Sequence, residues 1–103
     1  MEMKLEEQDI ELNKLDGCDY NFGLRVFERR KGEKLLEEFS LGSPKSKRFR
    51  KSYDAIIPLI QKQTSEVQQR IHNRLQKEIW CCELNPPIKY CEALLRATGK
   101  WKE

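Results

Sequence analysis

Hydrophobic and polar positions alternate with a period of two over the first part of the chain and recur with a helical period over the second. In residues 9–15, Ile10 and Leu12 stand between Asp9, Glu11 and Asn13, and Asp16-Gly17 follows as a turn signal. That pattern predicts a strand over 9–15. In the next run, Tyr20 to Glu28, the residues Phe22, Leu24 and Val26 fall on one face and Arg25 and Phe27 on the other. Arg29-Arg30-Lys31-Gly32 then offers a glycine for a turn, and Leu35, Glu37, Phe39 and Leu41 alternate beyond it. Three such runs predict a three-stranded antiparallel meander with Phe22 and Phe39 in its core. A helix over Lys34 to Phe39 is the rival reading, because that run also contains good helix formers. Residues 1–8 carry little to bury and are expected to be frayed or a short helical turn.

The period changes after Gly42-Ser43-Pro44, with residues 43–46 read as a connector. Ser46 is a good cap for a helix through Ile57, and Pro58 either kinks that helix or opens a new one. Ile60, Val67, Ile71, Leu75, Ile79 and Cys82 recur at spacings of three, four or seven, which predicts one long amphipathic helix over 58–84. Asn85-Pro86-Pro87 stops it. A shorter helix follows with Ile88, Cys91, Leu94, Leu95 and Thr98 on one side and Gly99 at its end. The expected fold class is therefore α+β in a single domain over 1–103. Its N-terminal three-stranded antiparallel meander is followed by a long amphipathic helix and a shorter C-terminal helix, packed as a helical hairpin.

Composition narrows the functional classes. The chain has 103 residues, enough for one modest core, and 36% of them are charged against 38% apolar. Its net charge of +3 conceals a polarity along the sequence. Residues 1–17 hold Glu2, Glu6, Glu7, Asp9, Glu11 and Asp16 against Lys4 and Lys14, whereas residues 43–52 hold five cations and no acid. The start is acidic, and no apolar run approaches the ~18 residues needed to span a bilayer. An intracellular protein, nuclear or cytoplasmic, with no membrane association and with Cys18, Cys81, Cys82 and Cys91 as free thiols is the expectation. Adjacent Cys81 and Cys82, with Cys91 following after eight intervening residues, lack the paired spacing of a zinc site, so neither a metal nor a cofactor is expected. Catalysis is not expected either. His72 is the sole histidine and falls away from the apolar stripe, and the five glycines build no phosphate-cradling loop.

The basic stretch carries the functional reading. Lys45, Lys47, Arg48, Arg50 and Lys51 lie within seven positions, and cations this close repel one another unless solvent or a polyanion screens them. Three readings stand: a solvated connector, a nuclear import signal over 44–51, and a phosphate-contacting surface extended by Arg29, Arg30 and Lys31 at the hairpin tip. Phe49 and Phe27 are the aromatic candidates for base stacking among these cations. The expected function is a non-enzymatic regulatory protein that binds nucleic acid, RNA or DNA, with an acidic protein as the other kind of partner. The alternative is an interaction adaptor that dimerises or docks through Ile60, Val67, Ile71, Leu75 and Trp80 on the 58–84 helix, with 44–51 as a nuclear localisation signal.

The order of a hairpin, a glycine-containing turn and Ser46-Lys47-Arg48 with Lys51 opening a helix resembles the C-terminal half of a double-stranded RNA-binding domain. The resemblance spans residues 22–57 and implies phosphate contacts from Lys47, Arg48 and Lys51. The chain departs from that family in having Tyr53, Ile56 and Pro58 where the family packs small alanines. It also has an acidic start where the family has a helix ahead of the first strand.

Overall fold

The computed structural model describes residues 3–78 and 87–101. The first element is helix α1, Leu5–Leu15, where alternation had predicted a strand. Leu, Glu and Gln dominate this run and favour helix intrinsically. The buried side of α1 is mostly polar, namely Gln8, Asp9, Glu11 and Asn13 beside Leu12. A helix whose buried side is polar leaves no apolar stripe to recognise, and the spacing of Ile10 and Leu12 then mimics a strand. Residues 5–8 belong to this helix rather than to a frayed end, and Met3 ahead of them is buried.

Strands β1 (Asp19–Asn21), β2 (Val26–Lys31) and β3 (Lys34–Ser40) form the three-stranded antiparallel sheet in the order β1-β2-β3. The run from Tyr20 to Glu28 is therefore not one strand but a tight hairpin. Asn21 Oδ1 accepts from the Leu24 amide at 3.1 Å, and Arg25 takes a left-handed φ of 55°, which together reverse the chain. The reversal carries Phe22 and Leu24 out of the core, to 73% and 72% exposure. Phe27 is buried instead, against Tyr20 at 4.9 Å and Phe39 at 5.1 Å between ring centroids. Gly32, at φ 63°, turns β2 into β3 with Lys31 opposite Lys34. Arg29 pairs with Glu37 but Arg30 with Leu35, so β3 carries one extra residue at Leu36, a bulge that breaks the expected alternation.

The predicted long helices are broken into shorter ones. Helix α2 is a single turn, Arg48–Lys51, ended by extended backbone at Ser52, and helix α3 runs Tyr53–Gln61 with Pro58 inside it. Ser46 does not cap this segment: its hydroxyl accepts from the Gly42 amide at 3.0 Å and donates to the Ser43 carbonyl at 2.8 Å. Helix α4, Ser65–Glu78, begins afresh because the Thr64 hydroxyl accepts from the Val67 amide at 3.3 Å. Gln68 then ties the corner by donating to the Gln61 and Gln63 carbonyls. The predicted helix over 58–84 is thus divided at 62–64, and its last part, with Ile79, Trp80, Cys81 and Cys82, lies outside the described residues.

Helix α5, Pro87–Ala97, is the expected shorter helix, with Gly99 at its end as the sequence indicated. Pro87 occupies the first turn, where its missing N–H costs nothing. Gly99, at φ 75°, ends the helix: the Lys100 amide donates to the Leu95 carbonyl at 2.8 Å and the Gly99 amide to the Arg96 carbonyl at 3.3 Å. Cys91, Ala93, Leu94 and Leu95 of α5 form the centre of the core, packed with Leu12, Phe49, Ile56, Leu59, Ile71 and Leu75 from the other four helices. A helix does precede the sheet, where the acidic start had been read as lacking one. The basic helix that follows the sheet is one turn rather than a continuation to Ile57.

Candidate nucleic-acid interface

The acidic start and the basic stretch, separate in sequence, meet in the fold. Arg50 donates from Nε and Nη2 to both Asp9 oxygens at 2.6 and 2.9 Å, with its side chain 11% exposed and that of Asp9 2% exposed. The Asp9 hydrogen bond raises the Arg50 guanidinium above its ordinary value. This two-pronged pair joins α1 to α2 beneath the surface. Arg50 is thereby engaged in an internal pair rather than standing free at the surface. Phe49 is 3% exposed and belongs to the core, where its carbonyl accepts from the Cys91 thiol at 3.0 Å, so it has no face to offer a base. Phe27 is likewise enclosed.

Asp16, which follows the last residue of α1, is the meeting point of three cations. Its carboxylate accepts from Arg29 Nη2 at 2.6 Å, Arg48 Nη2 at 3.0 Å and Lys62 Nζ at 3.0 Å. Burial pushes this carboxyl up, but the hydrogen bonds and charges of Lys62 and Arg29 outweigh burial and hold it below its ordinary value. A carboxylate at a helix C-terminus opposes the helix dipole, and the converging cations offset that too. Arg29 also donates to the Asp16 carbonyl, and Arg48 to Asn13 Oδ1 and the Lys45 carbonyl. Arg48 lies 4.1 Å over the Phe49 ring, which fixes its guanidinium in a plane.

Glu37 on β3 forms the second node. Lys45 binds it and Arg29 Nε stands 4.0 Å away, and the Lys45 hydrogen bond holds the Glu37 carboxyl below its ordinary value. Four cations, Arg29, Lys45, Arg48 and Lys62, thus surround two carboxylates, leaving an excess of positive charge on one face. All four remain partly exposed. Lys47 and Lys51 make no ion pair among the described residues. At the hairpin, Arg30 pairs with Glu28 at 2.9 Å, and exposed Lys31 sits opposite exposed Lys34.

The helical stripe offers less open surface than its sequence suggested. Ile71 and Leu75 are buried in the core with the α5 residues, Ile60 and Val67 are half-buried against that core, and Trp80 lies outside the described residues. His72 lies exposed on α4. Cys18 and Cys91 are free, buried thiols; burial raises both, Cys91 to about 12. Among the described residues, no cluster of His, Cys, Asp or Glu is arranged to hold a metal ion, and no helix is long and apolar enough to cross a membrane.

Sequence reasoning found Arg29, Lys45 and Arg48 but not the groups that organise them. Asp9, Asn13, Asp16 and Lys62 were missed in this role. Their only signal was the opposition of an acidic start to a basic middle. No family model, curated protein or solved structure matches the chain.

Proposed function

We propose that the protein is a non-enzymatic regulator that binds nucleic acid through the face carrying Lys45, Lys47, Arg48 and Lys51, with Arg29 and Lys62 beside them. The observation that supports this reading is the imbalance at the two nodes, where four cations surround Asp16 and Glu37. The two carboxylates orient the cations without neutralising them. A phosphate run approaching this face meets side chains already held in place, which reduces the ordering cost of binding. Lys47 and Lys51 add charge that no ion pair among the described residues consumes. The surface addresses phosphates rather than base edges, so RNA and DNA are both substrates in principle, with an acidic protein as the competing polyanion. An intracellular setting, nuclear or cytoplasmic, goes with this reading.

With Arg50 taken up by Asp9, four cations of the basic stretch remain. Neutralising about four phosphates on duplex DNA gives a slope of log K against log salt of about −3.6, and a shallower one on single strands. Anisotropy titrations of labelled single- and double-stranded RNA and DNA at two salt concentrations measure it. The variant Lys47→Glu/Lys51→Glu changes only groups without an ion pair among the described residues, so its circular dichroism should match the native chain while its affinity falls at least tenfold. A slope near zero, or unchanged affinity in the double variant, would refute the reading.

A further inference from the structure

One row of aromatic rings crosses the sheet, with cations of the basic stretch at one end and an exposed ring at the other. Tyr20, Phe27 and Phe39 are direct cross-strand neighbours on β1, β2 and β3, and successive ring centroids lie 4.9 and 5.1 Å apart. Lys45 stands 5.4 Å and Arg48 5.6 Å from the centre of the Phe39 ring. At the far end Phe22 meets Tyr20 edge-to-face, with centroids 4.7 Å apart. Three touching rings therefore join Phe22 to the two cations. The Leu41 amide also donates to the Arg25 carbonyl at 2.9 Å, which ties the hairpin tip to the chain leading into the basic stretch.

Burial changes steeply along this row. Phe27 is enclosed, Tyr20 and Phe39 are half-buried, and Phe22 is 73% exposed. Single exposed apolar side chains are ordinary. What distinguishes Phe22 is that it is held in place: Tyr20 supports its ring, and the Asn21–Leu24 hydrogen bond and the left-handed Arg25 fix the turn that presents it. A ring fixed in water beside a cationic surface has one obvious complement in a nucleic acid, the flat face of a base. Inside a duplex both faces of a base are covered by its stacked neighbours, so only an unpaired, splayed base can offer one.

We propose that Phe22 is a stacking platform for an unpaired base, and that the phosphates of the same strand follow the row of rings to Lys45 and Arg48, which makes the ligand of this face single-stranded. The inference rests on the nucleic-acid reading of the basic face and adds strandedness to it. Stacking engages the face of a base and not its edges, so it selects single strands over duplexes without selecting a sequence. The competing occupant of the tip is a second copy of this chain, seated on exposed Phe22 and Leu24.

The probes are an oligothymidylate of about ten nucleotides, its abasic analogue with the same phosphates, and a DNA duplex of the same length. Anisotropy titrations at low salt compare the native chain with Phe22→Leu, which keeps an apolar side chain and removes the π face. The native chain should bind oligothymidylate about five- to a hundredfold more tightly than the abasic strand. Phe22→Leu should close that gap by weakening oligothymidylate alone, with the abasic strand and the duplex bound as before, and Phe22→Trp should keep it open. Should Phe22→Leu fail to fold, the ratio of base-bearing to abasic strand on the native chain decides. Equal binding of the two strands by the native chain, a gap that persists in Phe22→Leu, or a variant that weakens the duplex as much as the single strand would overturn the stacking and leave the phosphate reading standing. No binding of any probe would remove both. Light scattering without DNA should give a monomer, and a dimer that Phe22→Leu dissociates would assign the tip to self-association and overturn the proposal.

Discussion

Replacing Arg50 by methionine tests whether the basic stretch is part of the architecture. The change leaves the Asp9 carboxylate, 2% exposed, without the guanidinium that meets both of its oxygens. Removing one partner of a buried ion pair costs about 3–5 kcal/mol, because the remaining charge is stranded. Arg50 keeps some solvent access, which places the expected loss near the lower end, about 3 kcal/mol. A cation in a solvated connector would cost about 0–1 kcal/mol. Asp9→Leu should be as damaging as Arg50→Met. The double variant Asp9→Leu/Arg50→Met buries no stranded charge and should recover to within about 1–2 kcal/mol of the native chain. Urea unfolding at neutral pH followed by far-UV circular dichroism supplies the three differences, and thermal melts should show the single variants about 12–24 °C lower. If Arg50→Met unfolds within about 1 kcal/mol of the native chain, or if the two losses simply add, the pair does not do what its geometry implies.

Acidification should act through Asp16. Its folded carboxyl lies below the ordinary 3.8, so the unfolded chain binds the proton more readily; the contribution is fully present above that value and fades as pH falls below it. Asp16→Asn should cost about 2 kcal/mol at neutral pH and flatten the acid limb of a stability-against-pH curve, and an unchanged acid limb would refute this assignment. The thiols give a second check. In a Cys81→Ser/Cys82→Ser background, Cys18 and Cys91 should resist a thiol-disulfide reagent at pH 8 in the native state and react fully in urea, since burial keeps both protonated. Equal rates in the two states would contradict their burial.

Local signals in the sequence located the elements that depend on local chemistry. Gly32 marks the β2–β3 turn, and Pro87 and Gly99 bound α5, because each of these positions demands one backbone conformation that few residues supply. Helix α1 was hidden for the converse reason. Its buried positions Asp9 and Asn13 are satisfied by Arg50 and the Ser46 carbonyl, 41 and 33 residues away, and no local pattern announces such partners. The break between α3 and α4 was legible in Thr64, a capping residue overruled by an apolar stripe that runs past it. At the basic face, charge density singled out Arg29, Lys45 and Arg48, which the fold brings together around Asp16 and Glu37. It did not reveal that Arg50 would be enclosed while Arg29 and Lys62 would join the others around Asp16.

The extra residue at Leu36 also bears on how the chain behaves when crowded. Strand β3 is an outer strand of the sheet, seven residues long, and carries exposed Leu35 and Leu36. A regular strand of that kind is a template on which a second chain can extend the sheet without limit. The bulge interrupts the spacing of outward amides and carbonyls midway, and exposed Lys34 adds a charge to be desolvated at one end. The irregularity that spoils the strand's alternation thereby acts as a gatekeeper against fibrous growth, and straightening it by deleting Leu36 would be expected to trade solubility for regularity.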